Sequence, residues 1–170
     1  GYVVFIMMEK IRIGIIVISD SASRGARVST TEQIITDLLK PIGTVTEICT
    51  IQDEILAIQT SCMRLVDQQR LDLVITTGGT GLSPRDVTPE ATRMILDKEI
   101  PGIAECMRQK TSEITMQAYL SRATAGLRKQ SLIINLPGSK KAVTECLEAI
   151  IPLLPHALEV IQGKTYRCGG

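Results

Sequence analysis

The sequence predicts an α/β protein, a three-layer α/β/α sandwich with a mostly parallel central sheet. Two observations support this prediction. Near-continuous aliphatic runs, such as R-I-G-I-I-V-I-S at residues 12–19, are typical of strands that helices cover on both faces. Segments with helical spacing alternate with these runs, and such alternation favours parallel strands joined by helical crossovers.

Five runs are predicted to be strands, and they differ in how much of each is buried. Residues 12–19 and 73–77 are almost wholly apolar and read as central strands, whereas residues 44–51 alternate between apolar and polar side chains. In chain order the strands are predicted at 12–19, 44–51, 73–77, 126–128 and 131–136, with Lys129-Gln130 as a hairpin turn between the last two.

The predicted helices lie between the strands. One of them has a clear start signal, with Thr88 as N-cap and Pro89 at the first helical position, and its inward face is Ala91, Met94 and Ile95. In chain order the helices are predicted at about 30–40, 54–69, 89–97, 103–114, 140–151 and 152–162, with a short helix or turn within 115–125 and a break at Pro152 and Pro155.

Length and composition limit the class of protein. A chain of 170 residues predicts one domain, which we place at residues 9–163, with an N-terminal extension at 1–8 and a tail at 164–170. The net charge of +1 creates no field that would attract nucleic acid or a membrane surface, and the scarce aromatic residues offer no stacking platform. The apolar run at residues 2–8 is too short to span a bilayer and lacks the features of a signal peptide. We therefore expect neither nucleic acid nor a membrane as a partner.

The cysteine and histidine content argues against several chemistries. The five cysteines are an odd number without a C-x-x-C pair, which is typical of reduced residues in a cytoplasmic protein. The only histidine, His156, is far along the chain from any glycine-rich turn. A Ser-His-Asp triad or a histidine-rich zinc site is therefore not expected.

Residues 73–92 contain the strongest functional signal. A buried strand leads into the loop Gly78-Gly79-Thr80-Gly81, and a helix start follows. This order is typical of an anion site, since backbone N–H groups converge where no Cβ blocks a phosphate. The carboxylate of Asp86 lies between loop and helix and would repel a phosphate unless a cation lay between them. The loop therefore predicts Mg²⁺ together with a nucleotide or another phosphorylated ligand.

Three further turns follow predicted strands and should meet the glycine-rich loop at one edge of a parallel sheet. They are Ser19-Asp20, Asp53 and residues 135–139. The turn after the first strand is a wall of the ligand crevice or an ordinary connection, and Asp53 is a helix N-cap or a functional carboxylate. Neither G-x-G-x-x-G nor G-x-x-x-x-G-K-[ST] occurs, so the dinucleotide fingerprint and the P-loop do not apply. Hydroxyl donors at this edge come from Ser19, Thr77, Thr80, Ser83 and Ser139.

The segment T-T-G-G-T-G-L-S-P-R-D-V-T-P-E-A-T at residues 76–92 closely resembles the signature of the molybdopterin adenylyltransferase family, the Mog, MoaB, plant Cnx G-domain and gephyrin G-domain type. The resemblance implies a molybdopterin-binding-like fold and extends over nearly the whole chain. Its other blocks are residues 13–20, 52–54, 120–122, 133–139 and 154–158.

The resemblance implies a nucleotidyltransferase of molybdenum cofactor biosynthesis. In that reaction the terminal phosphate of molybdopterin attacks the α-phosphorus of ATP, with Mg²⁺, and yields adenylylated molybdopterin and pyrophosphate. By the same resemblance, Asp53 and Asp86 are the catalytic and metal-binding carboxylates, the family members are homotrimers, and a molybdenum-insertion protein is a partner. The implied nucleotide and molybdopterin-binding residues are Ser19, Asp20, Thr77, Gly78, Gly79, Thr80, Gly81, Ser83, Ser121, Arg122, Asn135, Pro137, Gly138 and Ser139.

One segment departs from the family pattern. Family members have an Asp-x-Ser-Gly-Pro segment at the opening of the first helix, whereas this chain has R-V-S-T-T at residues 27–31. The departure leaves open an alternative, a carrier or scaffold module that binds molybdopterin without turnover. A generic nucleotide or phosphosugar-binding α/β domain is a third reading, which rests on fold logic alone.

Overall fold

The sheet is built from six strands in the part of the chain that the computed structural model describes, residues 11–20 and 30–163. The strand order is β2-β1-β3-β6-β5-β4, and β2, β1, β3 and β6 are parallel. β5 runs antiparallel to β6, and β4 runs antiparallel to β5, so the sheet is mostly parallel as predicted. The strands are β1 (Arg12–Ile18), β2 (Thr44–Ile51), β3 (Leu73–Thr77), β4 (Lys98–Glu99), β5 (Ala125–Arg128) and β6 (Ser131–Leu136).

Helices connect the parallel strands and cover both faces of the sheet. One of them, α2, continues from its last α-helical residue into a π-helical turn, and short 3₁₀ turns precede β5 and α6. The helices are α1 (Thr31–Leu38), α2 (Ile55–Met63, then Arg64–Gln68), α3 (Thr88–Ile95), α4 (Pro101–Ser112), α5 (Lys140–Ile150) and α6 (Leu154–Ile161), and the 3₁₀ turns are Met116–Leu120 and Ile151–Leu153.

Two separate apolar cores make the fold three-layered. Side chains alternate across a strand, so Ile15 of β1 belongs to one core and Ile16 to the other. The first core packs α1, α4, α5 and α6 against the sheet, and the second packs α2 and α3 against the opposite face. The β-branched runs of the sequence form these strands because branched side chains pack well on a pleated surface that is buried on both sides.

The structure corrects two predictions of local structure and adds one strand. Thr88 is the first residue of α3, and its N-cap is Val87. The Thr88 hydroxyl donates to the carbonyl of Gly78 instead of capping the helix. Met94 does not face inward. It is 67% exposed, since α3 packs through Ala91 and Ile95. β4 has no apolar alternation to predict it, and it forms through tertiary pairing with β5.

The strand order places a topological switch point at the glycine-rich loop. The chain passes from β1 to β2 on one side and then returns to place β3 on the other side of β1. Ligands of open α/β sheets bind at the carboxyl ends of the strands where the order reverses. Asp20 follows β1 and Gly78 follows β3, so both lie at this point.

Within the described ranges, no helix is long and apolar enough to cross a bilayer.

Candidate active site

Gly78 and Gly79 bend the chain sharply at the end of β3. Their φ angles are +106° and +70°, a region that glycine adopts without a steric penalty. A Cβ on Gly78 would lie 2.4 Å from the carbonyl oxygen of Ile18, so only glycine lets the end of β3 come this close to the end of β1. The turn after β6 also abuts the bend, since a Cβ on Gly138 would lie 3.4 Å from the Cα of Gly78.

The two predicted catalytic carboxylates flank the glycine-rich loop. A Cβ on Gly79 would lie 3.3 Å from Oδ1 of Asp53, and a Cβ on Gly81 would lie 2.9 Å from Oδ2 of Asp86. Asp53 comes from the end of β2 and Asp86 from the segment before α3. The fold therefore brings together two acidic residues that are distant along the chain, and it places both beside the loop.

The carbonyl groups of the loop are all held by the surrounding structure. Thr88 holds the first two, since its Oγ1 donates to the oxygen of Gly78 at 2.9 Å and its N–H donates to the oxygen of Gly79 at 3.1 Å. Arg122 holds the next two, since its N–H donates to the oxygen of Thr80 at 2.9 Å and its Nε donates to the oxygen of Gly81 at 2.8 Å.

The amide groups of the same loop have no such partners. Within the described residues, the N–H groups of Gly79, Thr80, Gly81 and Leu82 donate no hydrogen bond. Buried or partly buried amides are almost always paired in native proteins, with protein groups, water or a ligand. Successive unpaired amides at the N-terminal side of a helix form an anion-binding concavity.

Asp53 is tied to the turn after β1 and does not cap α2. Its N–H donates to Oδ1 of Asp20 at 2.9 Å, and its Oδ2 accepts from the N–H of Asp20 at 3.2 Å. The N-cap of α2 is Glu54, so the capping interpretation of Asp53 is wrong. Oδ2 of Asp20 also accepts from the guanidinium of Arg85.

The electrostatic environment of Asp53 disfavours its negative charge. Burial raises the pKa of the Asp53 carboxyl above its ordinary value. The hydrogen bond from Asp20 lowers this pKa, the negative charges of Asp20 and Asp86 raise it further, and the guanidinium of Arg85 opposes them. A site with this surplus of negative charge is stabilised by an added cation.

Asp86 is positioned by its own loop. Its Oδ2 accepts from the N–H of Ser83 at 3.0 Å, and its carbonyl oxygen accepts from Nη2 of Arg122 at 2.7 Å. The hydroxyl of Ser83 accepts from the N–H of Arg85 at 3.3 Å. Ser83 is therefore a loop-shaping residue in the structure, and the other oxygen of the Asp86 carboxylate is left without a partner from the described residues.

The two carboxylates fit Mg²⁺ only together with a ligand. No group of three or more His, Cys, Asp or Glu side chains in residues 11–20 and 30–163 is arranged to hold a metal ion. Mg²⁺ is commonly bound by one or two carboxylates, with phosphate oxygens and water completing the octahedron. Asp53 and Asp86 would provide the carboxylates for such an ion, and the adjacent unpaired amides would provide a place for the phosphates.

A cavity of about 410 Å³ opens beside the glycine-rich loop. Of the predicted binding residues, Thr80, Gly81, Ser121 and Pro137 line it. Much of the remaining lining comes from α4, α5 and the 3₁₀ turn, including Arg108, Thr111 and Glu145, which the sequence pattern did not indicate. These residues lie within helices, whereas the sequence pattern that predicted the site consists of turns that follow strands.

Three predicted binding residues have other roles. Asn135 is fully buried, and its amide group bonds Thr76, Thr92 and the N–H of Thr124, so its side chain does not line this cavity and its part in ligand binding stays a prediction. Thr77 is buried too and donates to the carbonyl of Pro137 at 2.7 Å. Ser139 is the N-cap of α5, where its Oγ accepts from the N–H of Ala142.

Arg122 holds the glycine-rich loop in the structure, and its part in ligand binding stays a prediction. It does not line the cavity, and its guanidinium bonds the carbonyls of Gly81 and Asp86 and the carboxylate of Glu90.

The divergent segment 27–31 falls mainly outside the described residues, since residues 21–29 are not among them. Thr30 precedes α1 as its N-cap without a capping hydrogen bond from its side chain.

Comparison with known proteins identifies close relatives. Residues 14–156 match the family described as "probable molybdopterin binding domain". The molybdopterin adenylyltransferases of Helicobacter pylori J99 and Escherichia coli K12 are each 42% identical to this chain over 92% of its length, covering 91% and 88% of their own. The crystal structure of the molybdopterin biosynthesis enzyme MoaB from Thermus thermophilus superposes with a TM-score of 0.86 at 46% identity, covering 92% of this chain and 99% of that one.

Proposed function

The chain belongs to the probable molybdopterin binding domain family, and on that premise we propose that it is a molybdopterin adenylyltransferase of molybdenum cofactor biosynthesis, with ATP and molybdopterin as its substrates. The single observation that supports the active site is the row of unpaired amides at residues 79–82, flanked by the carboxylates of Asp53 and Asp86. Relatives that carry this activity in their names are 42% identical over nearly the full length of the chain.

The chemistry is the transfer of an adenylyl group between two phosphates. A phosphate oxygen of molybdopterin attacks the α-phosphorus of ATP and forms a new P–O bond. The bond from the α-phosphorus to the bridging oxygen breaks, and pyrophosphate leaves with the electron pair. Such a transfer depends on positioning and charge stabilisation, and no covalent nucleophile from the protein is required.

The residues of the site divide this work. The amides of residues 79–82 bind non-bridging phosphate oxygens and hold the phosphate chain in line with the attacking group. Asp53 and Asp86 would hold Mg²⁺, which would neutralise charge on the phosphates. The cavity lined by Thr80, Gly81 and Ser121 holds an organic part of a substrate beside the loop.

The assembly and location of the protein are further proposals. We propose a homotrimer in the cytoplasm that passes its product to a molybdenum-insertion protein, with residues 9–163 as its single domain. The apolar side chains of Leu82, Met116 and Leu120 are exposed beside the cavity, and a subunit contact would cover such side chains. Light scattering tests the assembly, and a monomeric mass would contradict it.

The reaction is tested by release of pyrophosphate. The purified protein is incubated with ATP and Mg²⁺, with and without molybdopterin, and pyrophosphate is measured by a coupled assay. We expect release that requires all three components. Molybdopterin binding without pyrophosphate release, by a folded protein, would instead support the carrier or scaffold module.

A further inference from the structure

In four successive peptide groups of the glycine-rich loop, the carbonyl is hydrogen-bonded and the N–H is not. The carbonyl of each is held by Thr88 or by Arg122, whereas the N–H of each is unpaired within the described residues. Thr88 holds the peptides that end in the N–H groups of residues 79 and 80, and Arg122 holds those that end in the N–H groups of residues 81 and 82.

The hydrogen bonds to the loop carbonyls determine the direction in which the loop N–H groups point. A trans peptide is planar, and its C=O and N–H point in opposite directions. No cis peptide occurs in the described residues. A carbonyl that is held on one side of the loop therefore turns its N–H to the other side. Gly78 and Gly79 lack a Cβ and can adopt a wide range of backbone conformations, so these hydrogen bonds restrict the orientation of their peptides.

We propose that Thr88 and Arg122 are positioning residues that orient the amides of residues 79–82 toward a bound phosphate. The proposal rests on the proposed function for the identity of the phosphate ligand, the pyrophosphate portion of ATP. Neither side chain binds the phosphate itself. Each acts through the loop carbonyls that it holds.

Thr88 is suited to this role by its position and burial. It is fully buried at the start of α3, and it uses both its hydroxyl and its N–H on the loop. The space around the hydroxyl is tight, since a Cβ on Gly79 would lie 2.2 Å from Oγ1. Valine has nearly the same shape but no hydroxyl, so Thr88→Val leaves the carbonyl of Gly78 without its donor.

Arg122 also links the loop to Asp86. Its Nε holds the carbonyl of Gly81, its Nη2 holds the carbonyl of Asp86, and its Nη1 pairs with Oε1 of Glu90. Oε2 of Glu90 is buried and has no hydrogen-bond partner among the described residues. The planar guanidinium fixes several acceptors at once, which the flexible ammonium of lysine cannot do.

The test measures the loop amides directly. Uniformly ¹⁵N-labelled protein is titrated with inorganic pyrophosphate, and the amide resonances of Gly79, Thr80, Gly81 and Leu82 are followed together with the affinity. We expect all four to shift in the wild type. Thr88→Val should abolish the shift of Gly79 and retain that of Leu82, and Arg122→Lys should do the reverse. Each variant should weaken pyrophosphate binding about tenfold or more.

Matched variants separate positioning from general damage. Thr88→Ser restores the hydroxyl and should restore both the Gly79 shift and the affinity. Thr36→Val removes a hydroxyl-to-carbonyl hydrogen bond in α1, and Arg64→Lys disturbs the Arg64–Glu47 pair. Both lie away from the loop and should leave the titration unchanged. If Thr88→Val does not fold, Arg122→Lys still tests the positioning role, because wild-type affinity with the Leu82 shift intact in that variant would overturn it.

The outcomes distinguish this inference from the proposed function. A wild-type protein that makes adenylylated molybdopterin while none of the four amides responds to pyrophosphate overturns the positioning role alone. Variants that bind pyrophosphate as tightly as the wild type, with all four shifts intact, overturn it as well. A wild-type protein that neither binds pyrophosphate nor forms product overturns the proposed function with it.

Discussion

Asp20 and Asp53 exchange two hydrogen bonds, each donating its N–H to a carboxylate oxygen of the other, at 3.2 and 2.9 Å. The exchange ties the turn after β1 to the turn after β2 and brings two negative charges close together. The Asp86 carboxylate lies against Gly81 of the same loop. A cation at this edge of the sheet is therefore favoured by the fold itself.

Removal of either flanking charge should impair turnover. We expect Asp53→Asn and Asp86→Asn each to reduce kcat/KM for adenylylation by at least about 100-fold, the scale of losing one electrostatic stabiliser. The amide keeps the shape of the side chain but loses the charge that, in the proposed function, would hold Mg²⁺. The measurement is the initial rate of pyrophosphate release over a series of Mg²⁺ concentrations.

The neighbouring carboxylate provides the control for this prediction. Glu54 is exposed and adjacent to Asp53, so Glu54→Gln changes the net charge equally without touching the loop. It should retain the wild-type rate. Near-normal turnover in Asp86→Asn would remove Asp86 from the mechanism.

A methyl group at Gly79 should prevent pyrophosphate from binding to the loop. Gly79 has a φ of +70°, and a Cβ would lie 2.2 Å from Oγ1 of Thr88, so Gly79→Ala displaces the residue that holds the loop. We expect loss of pyrophosphate binding and a lower melting temperature, measured by calorimetry. Gly102 lies in α4 with nothing within 4 Å of an added Cβ, so Gly102→Ala should leave binding unchanged. Equal affinities for Gly79→Ala and the wild type would show that the loop does not hold the ligand.

The sequence predicts the fold because its signals are local. Continuous aliphatic runs define the parallel strands, and the alternation with helices defines the layers. Local signals fail where tertiary contacts decide the structure. Lys98–Glu99 has no strand pattern, and it pairs with β5 because Gly126 lets the chains approach, since a Cβ there would lie 2.3 Å from the carbonyl of Lys98.

The candidate site also contains residues that local sequence signals predict and residues that only tertiary contacts reveal. The glycine-rich loop and Asp86 are predicted from the residue types that follow a strand, whereas Asp53 is ambiguous from its residue type and position and is selected only by the family resemblance. The residues that hold the loop cannot be predicted in this way, because their contacts span the chain. Nε of Arg122 bonds the carbonyl of Gly81, which is 41 positions away along the chain. A threonine at the start of a helix suggests a cap, whereas the Thr88 hydroxyl donates to the carbonyl of Gly78.

An ion pair far from the loop gives the protein a pH-dependent stability. The hydrogen bonds from Arg128 hold the pKa of Asp67 below its ordinary value. Because the folded pKa is lowered, the contribution is present above the unfolded pKa of about 3.9 and is lost as the pH falls through the folded value. We expect Asp67→Asn to lower the free energy of unfolding by up to about 1 kcal/mol at pH 7. Denaturation at pH 3 should show a smaller difference, and an equal difference at both pH values would contradict the assignment.

Two cysteines should be protected from alkylation in the native state. Burial raises the pKa of Cys62 to about 12 and that of Cys146 to about 11, so few thiolates exist at pH 8. We expect iodoacetamide to modify both only after unfolding, whereas the partly exposed Cys106 reacts earlier. Peptide mass spectrometry over time measures this order. Labelling of Cys62 as fast as Cys106 would contradict the packing of α2 against the sheet.

The most direct test of the proposed function follows the two ends of ATP separately. The wild-type protein and Asp86→Asn are incubated with molybdopterin, Mg²⁺ and ATP that carries ³²P at either the α or the γ position. We expect the wild type to transfer the α label to the pterin and to release the γ label as pyrophosphate, and Asp86→Asn to do both at least about 100-fold more slowly. Transfer of the γ label to the pterin, or no transfer by folded wild-type protein, would contradict the proposed function.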